Sequence, residues 1–287
     1  VSKKPAQNPE KTMSKKFLFC DLDGTIISGG RPLSACNLRT LEALRRSGVV
    51  VALASGRSPY SMRKVITADM PFDYAIFSTG VGIMHWGRQE IVWRKQLEAA
   101  EVKKAAMVFE ETRIDYMVQE QLPENHRFSY RCFSSKEHEN SDFFRRLSIY
   151  DSHSQALAEP VFQQGASQLL AVLSHNDARL EGLQASLRDF SVVRATSPLD
   201  GKSIWLEVFA PGVSKSAAAQ WLSDCEEGHE ATYALGNDHN DWDLLNWAGK
   251  SLIAKKSPLE LQQRFQVLEA EPENFLRQAA QTWGLIK

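Results

Sequence analysis

The 287-residue chain has no excess charge of either sign: 34 Lys and Arg stand against 35 Asp and Glu, a formal net charge of -1. A surface that neutral offers no basic field for a nucleic-acid backbone or an anionic membrane, so neither is an expected partner. Cysteine is scarce. Cys20, Cys36, Cys132 and Cys225 are widely scattered, with no C-x-x-C pair and no histidine at zinc-finger spacing. They read as reduced thiols, mostly in the core, of a cytoplasmic protein. No apolar run approaches the length of a membrane span, and no repeat or low-complexity tract stands out. The polar opening, residues 1–15, has no signal-peptide core and reads as a disordered extension, with Met13 a candidate start.

What is present is alternation. Phe17–Cys20, Val49–Ala54, Ala75–Phe77, Ile204–Phe209, Ala231–Leu235 and Ser251–Ala254 are short apolar runs. Helical stretches separate many of them, and Leu38, Leu41 and Leu44 give the first of these its apolar face. Strand and helix in alternation predict an α/β fold, a Rossmann-like parallel sheet covered on both faces. The middle is different. A hairpin is expected around Gly87, then a mixture of helix and strand, with residues 120–159 polar and unassigned. This predicts a core from residues 16–82 and 199–287, with residues 83–198 inserted as an α+β cap domain.

Four polar clusters follow apolar runs. Asp21-Leu-Asp-Gly-Thr25 ends a buried strand, where two carboxylates are costly without a metal or hydrogen bonds. Ser55-Gly56-Arg57 offers a hydroxyl and free N–H groups after the second strand. Lys215 opens a helix, an awkward place for a cation unless an anion lies beside it. Gly236-Asn-Asp-His-Asn-Asp241 supplies the hard oxygens that magnesium takes. Each alone is commonly a turn, a cap or a solvated charge. Together, at one carboxyl edge of a parallel sheet, they read as a ligand site.

In this order the four clusters resemble the motifs of the haloacid dehalogenase superfamily, and in particular its Cof-like phosphatases with a type II cap. The resemblance implies a magnesium-dependent phosphatase, a phosphoric monoester hydrolase acting on a small phosphorylated metabolite such as a sugar phosphate. It implies Asp21 as nucleophile, Asp23 as acid and base, and phosphate held by Ser55, Gly56, Lys215 and Asn240. Magnesium would be held by Asp21, the Asp23 carbonyl, Asn237 and Asp241. Asn237 stands where the family usually has an aspartate, and Thr79 near where it usually has an asparagine. A phosphotransferase or mutase would use the same motifs. A ligand-binding regulatory protein with an impaired metal site is the alternative that Asn237 favours.

Overall fold

The computed structural model describes residues 15–28, 31–134, 142–160, 162–225 and 229–287; the expected extension lies almost wholly outside them. Among the described residues fourteen strands form two sheets. In chain order they are β1 (Lys15–Cys20), β2 (Val49–Ala54), β3 (Tyr74–Phe77), β4 (Gly82–His85), β5 (Glu90–Arg94), β6 (Tyr116–Gln119) and β7 (Phe128–Arg131). There follow β8 (Ser154–Ala156), β9 (Gln168–Leu173), β10 (Ser191–Thr196), β11 (Ile204–Phe209), β12 (His229–Gly236), β13 (Lys250–Ala254) and β14 (Val267–Leu268).

The first sheet runs β14-β13-β12-β1-β2-β3-β4-β5. It is parallel from β14 to β3 and antiparallel over β3-β4-β5. β1 shows why the run Phe17–Cys20 is apolar throughout. Leu18 and Cys20 point into one core cluster, Phe17 and Phe19 into the other, because successive side chains leave opposite faces of a strand. The helices Ala35–Arg46 and Pro272–Thr282 cover the first face with Leu41, Leu44, Phe275 and Leu276. Lys215–Cys225 and Trp242–Trp247 cover the second with Ala218, Leu222, Leu244 and Leu245. Local capping sets two helix starts. Ser34 accepts from the Asn37 N–H, and Ser58, followed by Pro59 at the first helical position, accepts from Ser61.

The second sheet has the order β10-β11-β9-β6-β7-β8 and is antiparallel except at β7-β8. The helix Ala99–Thr112 packs Val102, Ala105 and Phe109 into the cluster that holds Leu169, Ala171 and Leu206. The helix Asp142–Ile149 places Phe143 in the cluster of Met117, Leu170 and Trp205.

Two segments fall on the other side of the expected 83–198 boundary. The hairpin β4-β5 extends the first sheet, and β11, expected in the parallel core, is flanked by β9 and β10 in the second. The run Ile-Trp-Leu-Glu-Val-Phe is buried along its length. An interior antiparallel strand buried on both faces reads the same as a parallel one. The cysteines also differ from expectation, since Cys20 alone is buried while Cys132 and Cys225 are exposed. No helix among the described residues is long and apolar enough to cross a membrane.

Candidate active site

β1 lies between β2 and β12, so the loops after these three strands converge at one sheet edge. Asp21 directly follows β1, its N–H donating to the Leu235 carbonyl at 2.9 Å. Ser55 follows β2, and Asn237–Asp241 follow β12. Lys215 arrives by another route. It opens the helix after β11, so it is carried back from the second sheet rather than issuing from a strand of the first.

Lys215 is fully buried and its Nζ donates to Asp21 Oδ1 at 2.8 Å and to Asp241 Oδ1 at 2.6 Å. Thr25 Oγ1 donates to the other Asp21 oxygen at 2.9 Å. One ammonium therefore faces two buried carboxylates. Burial chiefly, then repulsion from Asp241, pushes the Asp21 pKa up to about 7 against the pull of Lys215. The lysine is itself desolvated, but the two carboxylates more than compensate and hold it charged, well above the ordinary lysine range.

Asp241 is spent. Its second oxygen accepts from the Asn237 and Asp238 N–H groups at 2.8 and 3.2 Å, and its side chain has no exposure. The expectation that it is a metal ligand does not match this geometry, because three donors already engage the carboxylate and it is not among the residues lining the cavity; it braces Lys215 and the loop instead. Asp238 lines the cavity but is tied to the second sheet. Its carboxylate accepts from the N–H and Oγ1 of Thr196 at the end of β10, at 3.0 and 3.1 Å.

The Asn237 amide lies where a cation is expected. One of its terminal atoms is 2.9 Å from the Asp23 carbonyl oxygen, 3.1 Å from Asp21 Oδ2 and 3.0 Å from Thr25 Oγ1. Turned as NH2, the amide donates to these oxygens; turned as oxygen, it faces two acceptors that need a cation between them. Ligands along one edge of an octahedral magnesium shell are about 2.9 Å apart, so the spacing suits that ion. The excess carboxylate charge suits it too. Among the described residues no three His, Cys, Asp or Glu side chains gather as a metal set. The candidate ligands are thus one carboxylate, one backbone carbonyl and one neutral amide.

Asp23, expected as acid and base, is turned toward Arg57. Arg57 Nε and Nη2 donate to its two oxygens at 2.6 and 2.7 Å, a bidentate pair at the cavity wall. Arg57 carries no expected role in the sequence, and its place in the Ser55-Gly56-Arg57 motif is the signal that marks it. Asp21, Asp23, Ser55, Gly56, Asn237 and Asn240 all line one cavity of about 1160 Å³, whereas Lys215 and Asp241 lie behind its wall. The opposite wall comes from the second sheet and includes Gln119, Asn125, Arg146, Trp205 and Glu207. His126, in the loop between β6 and β7, lines the cavity as well. Arg127 is near Glu124 and Arg131 is paired with Glu110.

Thr79 occupies a buried left-handed turn, with Ser78, Thr79 and Gly80 at φ 48°, 55° and 104°. A β-branched residue is strained there. The turn is pinned from the second sheet: Thr79 Oγ1 donates to Glu207 at 3.1 Å, and Asn125 donates to Ser78 Oγ at 2.7 Å.

Residues 18–268 match the family model described as haloacid dehalogenase-like hydrolase. The chain is 24% identical to the chloroplastic endoribonuclease YBEY of Arabidopsis thaliana, over 86% of its own length but only 45% of that protein. It is also 24% identical to a "Putative phosphatase" of Haemophilus influenzae, covering 90% of this chain and 92% of that one. Among solved structures, a subclass IIB sugar phosphatase of the same superfamily superposes with a TM-score of 0.73 at 18% identity, over 94% of this chain and all of that one.

Proposed function

Because the chain belongs to the haloacid dehalogenase-like hydrolase family, we propose that it is a phosphatase whose Asp21 carboxylate attacks phosphorus in a small phosphorylated metabolite. The observation that carries this reading is the setting of Asp21. It lines a wide cavity, and Lys215 and Thr25 fix its two oxygens, so the nucleophile is positioned before substrate arrives.

In the first step an Asp21 oxygen bonds to phosphorus as the ester P–O bond breaks, and the leaving alkoxide takes a proton from Asp23. In the second, Asp23 takes a proton from water as the water oxygen attacks the aspartyl-phosphate, releasing phosphate and restoring Asp21. The bidentate bond to Arg57 fixes the orientation of the Asp23 carboxyl group at the cavity wall. Acid catalysis requires Asp23 to gain a proton and leave at least one of those bonds. Ser55, the Gly56 backbone and Asn240 stand beside the same cavity, where they can bind phosphate oxygens. Lys215 acts from behind Asp21, positioning it and offsetting its charge.

A magnesium ion held by Asp21, the Asp23 carbonyl and Asn237 would neutralise charge on the transferring group. The residues of the second sheet that roof the cavity would exclude water and choose the substrate, as expected of a cap domain.

The test is phosphate release from p-nitrophenyl phosphate with magnesium present, by the parent and by Asp21→Asn. The parent should turn over, and the variant should fold but lose release by at least a thousandfold. Near-normal turnover by the variant would falsify the nucleophile assignment. A second reading, a binding protein with an impaired site, is favoured by the neutral amide of Asn237. Metabolite binding without turnover by the parent would support it.

A further inference from the structure

Nine buried side-chain nitrogen and oxygen atoms have no hydrogen-bond partner among the described residues. Five of them belong to four residues that line the cavity above Asp21: both amide atoms of Gln119, Asn125 Oδ1, His126 Nδ1 and Arg146 Nε. Buried polar groups are ordinarily matched, so this concentration in one cavity points to a ligand that matches them.

Arg146 is the charged member. It sits on the helix Asp142–Ile149 with its guanidinium over the rings of Trp205, Tyr150 and Phe128, at 4.7, 5.1 and 5.7 Å from their centroids. Asp142, one turn earlier, accepts from the Trp205 indole N–H at 2.6 Å and so fixes the ring beneath it. Aromatic faces support the cation but leave its in-plane N–H groups to be satisfied at the edge. No described carboxylate is within ion-pair distance of it. Glu207 shares the cavity, but its oxygens accept from Thr79 and Gln168, and burial raises its pKa toward the neutral form. Arg57, by contrast, is matched to Asp23. The cavity also exceeds what a phosphate group and a small leaving group would fill.

We propose that Arg146 is a specificity-determining residue that binds a second anionic group on the substrate, a carboxylate or another phosphate. Gln119 and Asn125 hydrogen-bond hydroxyls on the body between the two anions. A guanidinium edge matches either anion by two parallel N–H bonds. This rests on the phosphatase reading for the placement of the first phosphate, and makes the substrate class an anionic, polyhydroxylated phosphate ester.

Calorimetry on the Asp21→Asn protein, which does not consume ligand, compares glucose 6-phosphate with 6-phosphogluconate and glucose 1,6-bisphosphate. At least one of the last two should bind tenfold or more tightly than glucose 6-phosphate, and which one does so identifies the second anion. Adding Arg146→Met should bring the preference within twofold while leaving glucose 6-phosphate affinity unchanged; Arg146→Lys should keep part of it. Affinities within twofold of one another on the Asp21→Asn protein, or no binding of any of the three, would overturn the proposal. So would an equal loss for all three ligands on Arg146→Met. Hydrolysis of p-nitrophenyl phosphate by the parent separates the two readings. Hydrolysis without ligand preference sinks the second-anion subsite alone, and preference without hydrolysis sinks the phosphatase reading alone.

Discussion

Lys215→Met removes the single cation from a buried site holding two carboxylates, and its effect should depend on pH. The ammonium is 2.8 Å from Asp21 and 2.6 Å from Asp241, all three side chains being almost wholly buried. At an effective dielectric near 20, each such contact amounts to about 6 kcal/mol before desolvation is subtracted. Removing one partner from a buried ion pair costs about 3–5 kcal/mol, because the charge left behind is stranded. That is the loss expected near pH 8 in the presence of EDTA. Asp21, already pushed up to about 7 chiefly by burial, loses the neighbour that restrained it, so its pKa rises further. A carboxyl whose pKa is higher in the folded than in the unfolded state favours folding when protonated, and its contribution is lost as pH rises through the folded value. Near pH 5.5 the variant therefore folds with a neutral Asp21, and its deficit against the parent should shrink to roughly half. At about 2–4 °C per kcal/mol for a chain of this size, the melting temperature near pH 8 should fall by about 6–20 °C. Thermal melts at the two pH values measure this. Equal deficits at both, or a larger one at pH 5.5, would refute the picture of two carboxylates sharing one lysine.

Asn237→Asp should tighten magnesium binding by roughly tenfold, measured as the magnesium dependence of the melting temperature. The same change should lower the metal-free melting temperature, since it puts a carboxylate about 3.1 Å from Asp21 Oδ2 in place of an amide that can donate to it. Unchanged magnesium dependence would remove Asn237 from the ligand set. Gly80→Ala should destabilise by more than about 2 kcal/mol and cut activity, because the new methyl would overlap the Ser214 carbonyl beside Lys215 at φ +104°. Gly48→Ala, at φ +75° with nothing nearby, should cost only about 1 kcal/mol; similar losses from the two would show that the Ser214 contact is unimportant.

Much of this architecture was legible from apolar periodicity. β2 and β11 have the bounds predicted from their runs, and Leu41 and Leu44 are buried on the helix Ala35–Arg46 as their spacing implies. The stretch 120–159 was not legible, for a physical reason. β7 has four residues, β8 has three, and the helix Asp142–Ile149 is short and carries two arginines, of which Arg146 is turned onto aromatic rings at the cavity. At the site, the residues Asp21, Ser55 and Asn237 converge because β1, β2 and β12 are neighbours; alternation anticipates the shared carboxyl edge but not that strand order. Tertiary hydrogen bonding was hidden: Asp241 turned inward to Lys215, Asp238 tied to Thr196, and Asp23 clasped by Arg57. Sequence spacing fixes which loop a carboxylate belongs to, not which of its lone pairs remain open.

The crossings between the two sheets have a consequence for how such a protein diversifies. On the outward path the Lys95 N–H donates to the Val81 carbonyl at 2.9 Å, and on the return path Ser214 rests against Gly80. Departure and arrival thus meet at consecutive residues of one tight turn. The entropy of closing a chain excursion grows only with the logarithm of its length, about 0.6 kcal/mol for each doubling. Ends held side by side therefore tolerate excursions of very different size. A lineage can lengthen, trim or exchange much of what lies between Lys95 and Phe209 with little loop-closure penalty, provided the bonds from Asn125, Thr196 and Glu207 to the bed around Asp21 are kept or replaced. The range of molecules handled and the chemistry performed on them are consequently heritable as separate traits.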